Sequence, residues 1–347
     1  MIRLGVIGYG YWGPNVVRNF MEAPGATVKA VCDTRPDRLA AVQARYPTIE
    51  VTTDPEVIFK DPGIDAVAVC TPVSTHYGFA LRTLQHGKHA LVEKPLAMSS
   101  LECADLLNEA ERRRLTLMVD HTFVYTSAVQ KMRKLIETDE LGRIYYYDSV
   151  RVNLGIFQRD VNVVWDLAVH DLSIMDYVLP SRPYAVSAIG MSHVPGGKEN
   201  IAYMTFFFGG NLIGHIHVNW LAPVKIRRSL IGGSRQMLVY DDLEPSEKIK
   251  IYDRGIKISE SSSPESVYQL LVSYRSGDMC APHLDGTEAL QSEAREFVRS
   301  IETGAEPITS GESGLRLVTY LEAASKSMRA NGEAVEIAGA ALKEVAS

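Results

Sequence analysis

Three stretches of this sequence carry residue types at spacings that can do chemistry. In WDLAVHDLSIMDYVL, Asp166 and His170 stand four positions apart. On a helix such a pair shares one face, and Leu167, Ile174 and Val178 are left to pack inward. A carboxylate beside an imidazole orients it and raises its proton affinity, which suits a general base working near neutral pH. Taken alone, the pair reads equally as a helix-surface ion pair, and His170 as a metal ligand. In LVEKPLA, Glu93 and Lys94 follow a short apolar run, and Pro95 biases Lys94 toward extended backbone. In MIRLGVIGYGYWGPNVVRNF, Gly8, Gly10 and Gly13 separate an apolar run from a helical pattern. That spacing serves a phosphate-binding loop or a bare tight turn, so its surroundings must decide.

The elements that position these residues are legible as periodicities. Apolar runs at 2–7, 28–32, 66–70, 90–92 and 115–119 alternate with helical patterns such as 75–86 and 99–114. Strands alternating with helices predict a parallel sheet covered on both faces. From Thr122 the texture changes. A helix at 127–140 leads to a strand at 143–153 and a helix at 166–178. Strands follow at 185–193, 202–208, 211–218, 226–231 and 236–241, with Gly209-Gly210 as a hairpin signal. Two helices at 287–303 and 311–330 finish the pattern, and the polar stretch 259–266 reads as a surface loop. The prediction is an α/β protein of two domains. Residues 1–121 form a nucleotide-binding domain with a parallel sheet. Residues 122–347 form an α/β domain with an open, largely antiparallel or mixed sheet, its C-terminal helix free to pack back on the first domain.

In this context the glycine loop meets the requirements of a dinucleotide site. A strand precedes it and a helix follows, with Pro14 in the first turn where its missing N–H costs nothing. Gly8 permits the turn, Gly10 admits a pyrophosphate, and Gly13 allows close helix–strand packing. The helix N-terminus offers unpaired N–H groups to the anion. The second strand ends in Asp33, twenty residues after Gly13, where a carboxylate bonds the adenosine ribose hydroxyls. That carboxylate repels a 2′-phosphate, so NAD is favoured over NADP. Arg35 is the counter-signal, because a nearby arginine can hold that phosphate. Ligands of parallel sheets lie at the carboxyl ends of the strands, so Glu93 and Lys94 face the cofactor crevice.

Composition narrows the remaining classes. Of 347 residues, 46% are hydrophobic and 22% charged, an ordinary globular balance. A net charge of −6 argues against broad nucleic-acid or anionic-membrane binding. Cys32, Cys70, Cys103 and Cys280 are scattered and predict neither a disulfide framework nor a metal site, which points to a reducing compartment. No signal-peptide pattern or membrane-length apolar run is present, so the expected location is the cytoplasm. His215 and His217 alternate on one strand face. A zinc pair is one reading there, and a solvated or interface face the other.

The combination GYGYWG, VCD, VCTPVSTHYGFA, EKP and DLAVHD resembles the Gfo/Idh/MocA oxidoreductases, the glucose–fructose oxidoreductase and inositol dehydrogenase family. The resemblance runs through to SIETGAEPITSGESGLRLVTYLEAASKSM. It implies a Rossmann domain, a second α/β domain whose open sheet often forms a subunit interface, a nicotinamide cofactor, and a sugar or cyclitol substrate. Thr71, Pro72 and His76 match the family's cofactor-contacting T-P-x-x-x-H segment. Lys94 matches a lysine near the nicotinamide and the substrate hydroxyl, and Asp166 and His170 match the acid/base helix. Just before Asp166 this chain has Val163, Val164 and Trp165, where many members have glycines. The expected cofactor set is Gly8, Gly10, Tyr11, Trp12, Gly13, Asp33, Thr34, Arg35, Cys70, Thr71, Pro72, His76, Glu93, Lys94 and Arg159. The expected substrate set is Lys94, Tyr125, Arg151, Asn153, Asp166 and His170, with no metal.

The resemblance also reaches members that act on sugar nucleotides in surface-polysaccharide biosynthesis. Arg151 and Asn153 lie two apart on one strand face, followed by Gln158, Arg159 and Asn162. These could hold a diphosphate or a carboxylate, or else pair with acidic neighbours or the cofactor pyrophosphate. The expected substrate is a UDP-N-acetylhexosamine or its uronic acid, oxidised at C3. The alternatives are a free-sugar or inositol dehydrogenase, a redox-neutral enzyme with tightly held NAD, and a non-catalytic NAD-binding regulator. The aromatic stretch MTFFFGGNLIGHIHVNW predicts a homodimer or homotetramer through the second-domain sheet.

Overall fold

The computed structural model describes residues 1–155, 160–253, 255–257, 273–275 and 277–338. Gln158, Arg159 and the polar stretch 259–266 lie outside the described residues. The chain begins with β1 (Ile2–Ile7), α1 (Gly13–Glu22), β2 (Ala26–Cys32), α2 (Pro36–Arg45), β3 (Glu50–Thr52), α3 (Pro55–Lys60) and β4 (Ala66–Val69). It continues with α4 (His76–Gln85), β5 (His89–Glu93), α5 (Ser100–Arg113) and β6 (Leu117–Asp120). The six strands pair in parallel in the order β3-β2-β1-β4-β5-β6. Every residue of β4 is buried, as expected of a central parallel strand covered on both faces. The order reverses between β1 and β4, which opens the crevice where such sheets bind ligands. Local signals set the helix ends. Ser99 caps α5 by accepting from the Glu102 amide, and Glu102 in turn accepts from the Met98 amide. The α2–β3–α3 segment is short and half exposed, and its weak periodicity gave no sequence signal.

The next elements are α6 (Ser127–Glu137), β7 (Ile144–Leu154), a π-helical turn Val164–Ala168, and α7 (Val169–Val178). Then come β8 (Ala185–Met191), β9 (Ile201–Phe207), β10 (Ile213–Asn219), β11 (Leu221–Gly233), β12 (Met237–Asp241) and β13 (Ile249–Tyr252). β14 (Gly255–Lys257) and β15 (Ser273–Arg275) pair with each other, and β16 (Met279–Cys280) precedes α8 (Ala289–Thr303), α9 (Gly311–Arg329) and β17 (Val335–Glu336). The second sheet runs β16-β13-β12-β11-β7-β10-β9-β8-β17. It is antiparallel except for β7 beside β10. The β9–β10 hairpin turns at Gly209–Asn211, where Gly210 takes a φ of +70°.

Contacts divide the chain into two compact units, Met1–Thr126 with Gly286–Glu322, and Ser127–Asp285 with Ala323–Ser347. The division falls five residues beyond the expected boundary at 121, and α8 with most of α9 groups with the first unit. The physical reason is apolar burial against α1: Phe297 meets Phe20 edge-on at 6.0 Å, and Arg18 pairs with Glu288 at 2.6 Å. Among the described residues no helix is long and apolar enough to cross a membrane.

Candidate active site

The glycine loop leaves β1 with the geometry a dinucleotide requires. Gly8 has a φ of +98°, and a Cβ there would lie 2.5 Å from the Cys70 carbonyl oxygen. A Cβ on Gly13 would lie 2.2 Å from the Gly8 carbonyl oxygen, whereas one on Gly10 would meet nothing within 4 Å. The first and third glycines are therefore demanded by the protein's own packing, and the second opens space above the loop. α1 begins with no side-chain cap, and Pro14 in its first turn has no N–H to satisfy. Asp33 is fixed in place: its carboxylate accepts from the Tyr9 amide at 2.7 Å and the Arg35 amide at 2.9 Å. The Arg35 guanidinium lies 3.7 Å from the same carboxylate, and Thr34 is exposed beside it. Tyr11 is 93% exposed. Trp12 turns inward and donates its indole N–H to Asp120 at 2.5 Å. Together these residues fit NAD.

The ends of β4, β5 and β6 carry the remaining candidates of the first unit. His76 is 1% exposed, and its ring nitrogens face the Thr71 and Pro95 carbonyl oxygens, each at 2.8 Å. Both nitrogens of His76, expected among the cofactor contacts, thus face backbone carbonyls of the protein itself. The ring clamps the loop after β4, which carries Thr71 and the exposed Pro72, to the loop that carries Lys94. Burial pushes the Cys70 thiol well above its ordinary range, with the charges of Asp120, Glu93 and Glu293 adding to the effect. It stays a neutral thiol. Tyr125, expected among the substrate contacts, is buried, with its hydroxyl 3.0 Å from the Thr309 hydroxyl.

Sequence reasoning missed a buried cluster here. Glu93 pairs with Asp120 at the end of the β5–β6 register, and Lys94 and His121 are the next residues in sequence after each. Asp120 accepts from Trp12 and from the Thr122 hydroxyl, and burial still raises its carboxyl above the usual range. Glu293 on α8 is wholly buried beside it, and burial followed by the charge of Asp120 holds its carboxyl well above the usual range. One signal was available. Glu293 lies three residues after Leu290 and four before Phe297, on the apolar face of α8.

In the second unit, Asp166 lies inside the π-helical turn and His170 in the first turn of α7. Spacing of four had been read as one α-helical face. The π turn changes that geometry, and π turns concentrate at functional sites. Asn162 starts the turn, its side-chain oxygen accepting from the Val164 and Trp165 amides. Asp166 accepts from the Trp220 indole N–H at 3.1 Å, with Trp220 itself 2% exposed. Trp220 thus orients the carboxylate, a role no local sequence signal announced. Both Asp166 and His170 remain half exposed. Arg151 makes the pairing with an acidic neighbour that the sequence left open. It is 2% exposed, and its guanidinium bonds Asp171 at 2.6 Å while Ser149 donates to the same carboxylate. It ties β7 to α7 one residue from His170. Asn153, two residues on, is half-buried. Among the described residues no cluster of histidine, cysteine or carboxylate side chains could hold a metal.

Residues 2–121 match the family model described as an oxidoreductase family with an NAD-binding Rossmann fold, and residues 129–239 match the GFO/IDH/MocA C-terminal domain. The chain belongs to the GFO/IDH/MocA family. It is an NAD-dependent oxidoreductase. A GFO/IDH/MocA-type relative, myo-inositol 2-dehydrogenase of Thermotoga maritima, is 23% identical over 345 residues, 94% of this chain and 96% of that one. The UDP-N-acetylglucosamine 3-dehydrogenase of Acidithiobacillus ferrooxidans is 27% identical over 257 residues, 73% of this chain and 78% of that one. The solved structure of a levoglucosan dehydrogenase in complex with NADH superposes with a TM-score of 0.83 at 19% identity, over 97% of this chain and 99% of that one. The last likeness establishes the shared fold.

Proposed function

We propose that the protein oxidises a secondary hydroxyl, at C3, of a sugar nucleotide such as a UDP-N-acetylhexosamine or its uronic acid. Bound NAD supplies the hydride acceptor. His170 takes the hydroxyl proton, Asp166 orients the imidazole or the sugar, and Lys94 stabilises the developing alkoxide. The observation that carries the acid/base assignment is Asp166 in a π turn, its carboxylate held by Trp220, with His170 following in the first turn of α7. Support for the substrate class is the likeness to the UDP-N-acetylglucosamine 3-dehydrogenase. The internal pairing of Arg151 removes one of its earlier supports. A second reading, a free-sugar or inositol dehydrogenase, is favoured by the likeness to myo-inositol 2-dehydrogenase along nearly the whole chain. NADH formation with UDP-N-acetylglucosamine, its uronic acid, free glucose and myo-inositol separates the two. Turnover of a free polyol with no response to either sugar nucleotide overturns the first reading and supports the second. We also propose that a second copy of the chain covers the open face of the second sheet.

A further inference from the structure

The end of β6 holds a histidine that nothing so far employs. His121 is 2% exposed, and among the described residues neither ring nitrogen has a hydrogen-bond partner. Two unpaired nitrogens in a buried ring are costly, and buried polar groups of native proteins almost always find partners. The β5–β6 pairing ends at Glu93 and Asp120. His121 follows at the carboxyl edge of the parallel sheet, where such folds bind their ligands, close enough to Lys94 to feel its charge. Asp33 and the glycine loop occupy the β1–β2 side of the strand reversal and take the adenosine ribose and the pyrophosphate. β5 and β6 lie on the other side, the side left for the nicotinamide.

We propose that one ring nitrogen of His121 hydrogen-bonds the carboxamide of bound nicotinamide, making His121 a cofactor-positioning residue. A carboxamide offers both a donor and an acceptor, so it suits either tautomer of a neutral imidazole. Neutrality matters, because the oxidised nicotinamide ring is cationic and a second cation against it would oppose binding. Burial, and then the charge of Lys94, push the His121 pKa down to about 3, which keeps the ring uncharged across the working range. Lys94 is the charged group that acts on it.

The test compares NADH with ADP-ribose, which lacks the nicotinamide, on the full chain. His121→Phe fills the same space without nitrogens, and His121→Asn restores a donor and an acceptor. NADH affinity should fall about tenfold in His121→Phe, the loss of about one hydrogen bond. It should recover to within about threefold in His121→Asn, while ADP-ribose affinity stays at the wild-type value in both. Nitrogen-15 spectra of wild-type protein labelled at its nine histidines give a second reading on the unmutated ring. The His121 resonance, identified by its loss in His121→Asn or His121→Phe, should move on adding NADH and stay fixed on adding ADP-ribose. Equal weakening of both ligands, an unchanged NADH affinity, or a resonance that ignores NADH overturns the proposal.

Discussion

At the scale of single residues, the proposed chemistry rests on groups whose surroundings are already set. Asp33 is held by two backbone amides, and in the proposed site its carboxylate bonds the adenosine ribose and opposes a 2′-phosphate. Asp33→Ser should weaken NAD and relax the bias against NADP, read as the ratio of the two dissociation constants. A wild-type protein that prefers NADP would reverse the weighting of Asp33 over Arg35. Lys94→Ala and His170→Ala should each lower turnover about 10²–10⁴-fold while NADH affinity changes little. Near-normal turnover in His170→Ala would move the base elsewhere. Glu293 makes a pH prediction. Its folded pKa is raised above the ordinary 4.5, so its stabilising contribution is fully present below that value and is lost as pH rises toward the folded pKa. Glu293→Gln should therefore be more stable than wild type at about pH 8, with the gap closing at about pH 5. A gap that widens toward acid in thermal unfolding would contradict this sign.

At the scale of elements, the loops that end β5 and β6 place Lys94 and His121 in the first unit, and the turns around Val164–Ala168 and the start of α7 place Asp166 and His170 in the second. The glycine loop, the strand ends and the Asp166–His170 pair were legible because each is local: its signal lies within a few adjacent residues. What escaped depends on partners distant in the chain. Arg151 read as a ligand-binding arginine because its partner, Asp171, lies on a different element that only folding brings near. The π turn was invisible because a spacing of four residues is the ordinary α-helical signature. β11 extends over Leu221–Gly233 where the sequence read a strand only at 226–231: Pro223 interrupts the pattern, and the pairing with β7 shifts register between Leu221 and Ile226. The Arg151–Asp171 tie makes a stability prediction. Arg151→Ala strands a buried carboxylate and should cost about 3–5 kcal/mol in urea unfolding. A loss below about 1 kcal/mol, typical of exposed pairs, would show that the tie is not buried in solution.

At the scale of the whole molecule, the open face of the second sheet still needs an explanation. Tyr203 stacks on His217 at 4.3 Å and lies opposite Ile189, with Met191 and Ile213 also exposed. His215 and His217 do share a face, and burial with the charge of His215 lowers the pKa of His217. A second copy covering this face predicts a dimer or tetramer by light scattering at micromolar concentration, and a monomer there would count against it. The central claim, however, is hydride transfer to NAD with His170 as base. Its most direct test is a single turnover: protein in excess of NAD, mixed with each sugar nucleotide and each free polyol in turn, with NADH fluorescence followed in time. Enclosed or released, NADH should form with at least one of these alcohols in the wild type, and about 10²–10⁴-fold more slowly in His170→Ala. No NADH with any of them, or equal rates in wild type and His170→Ala, would contradict the account.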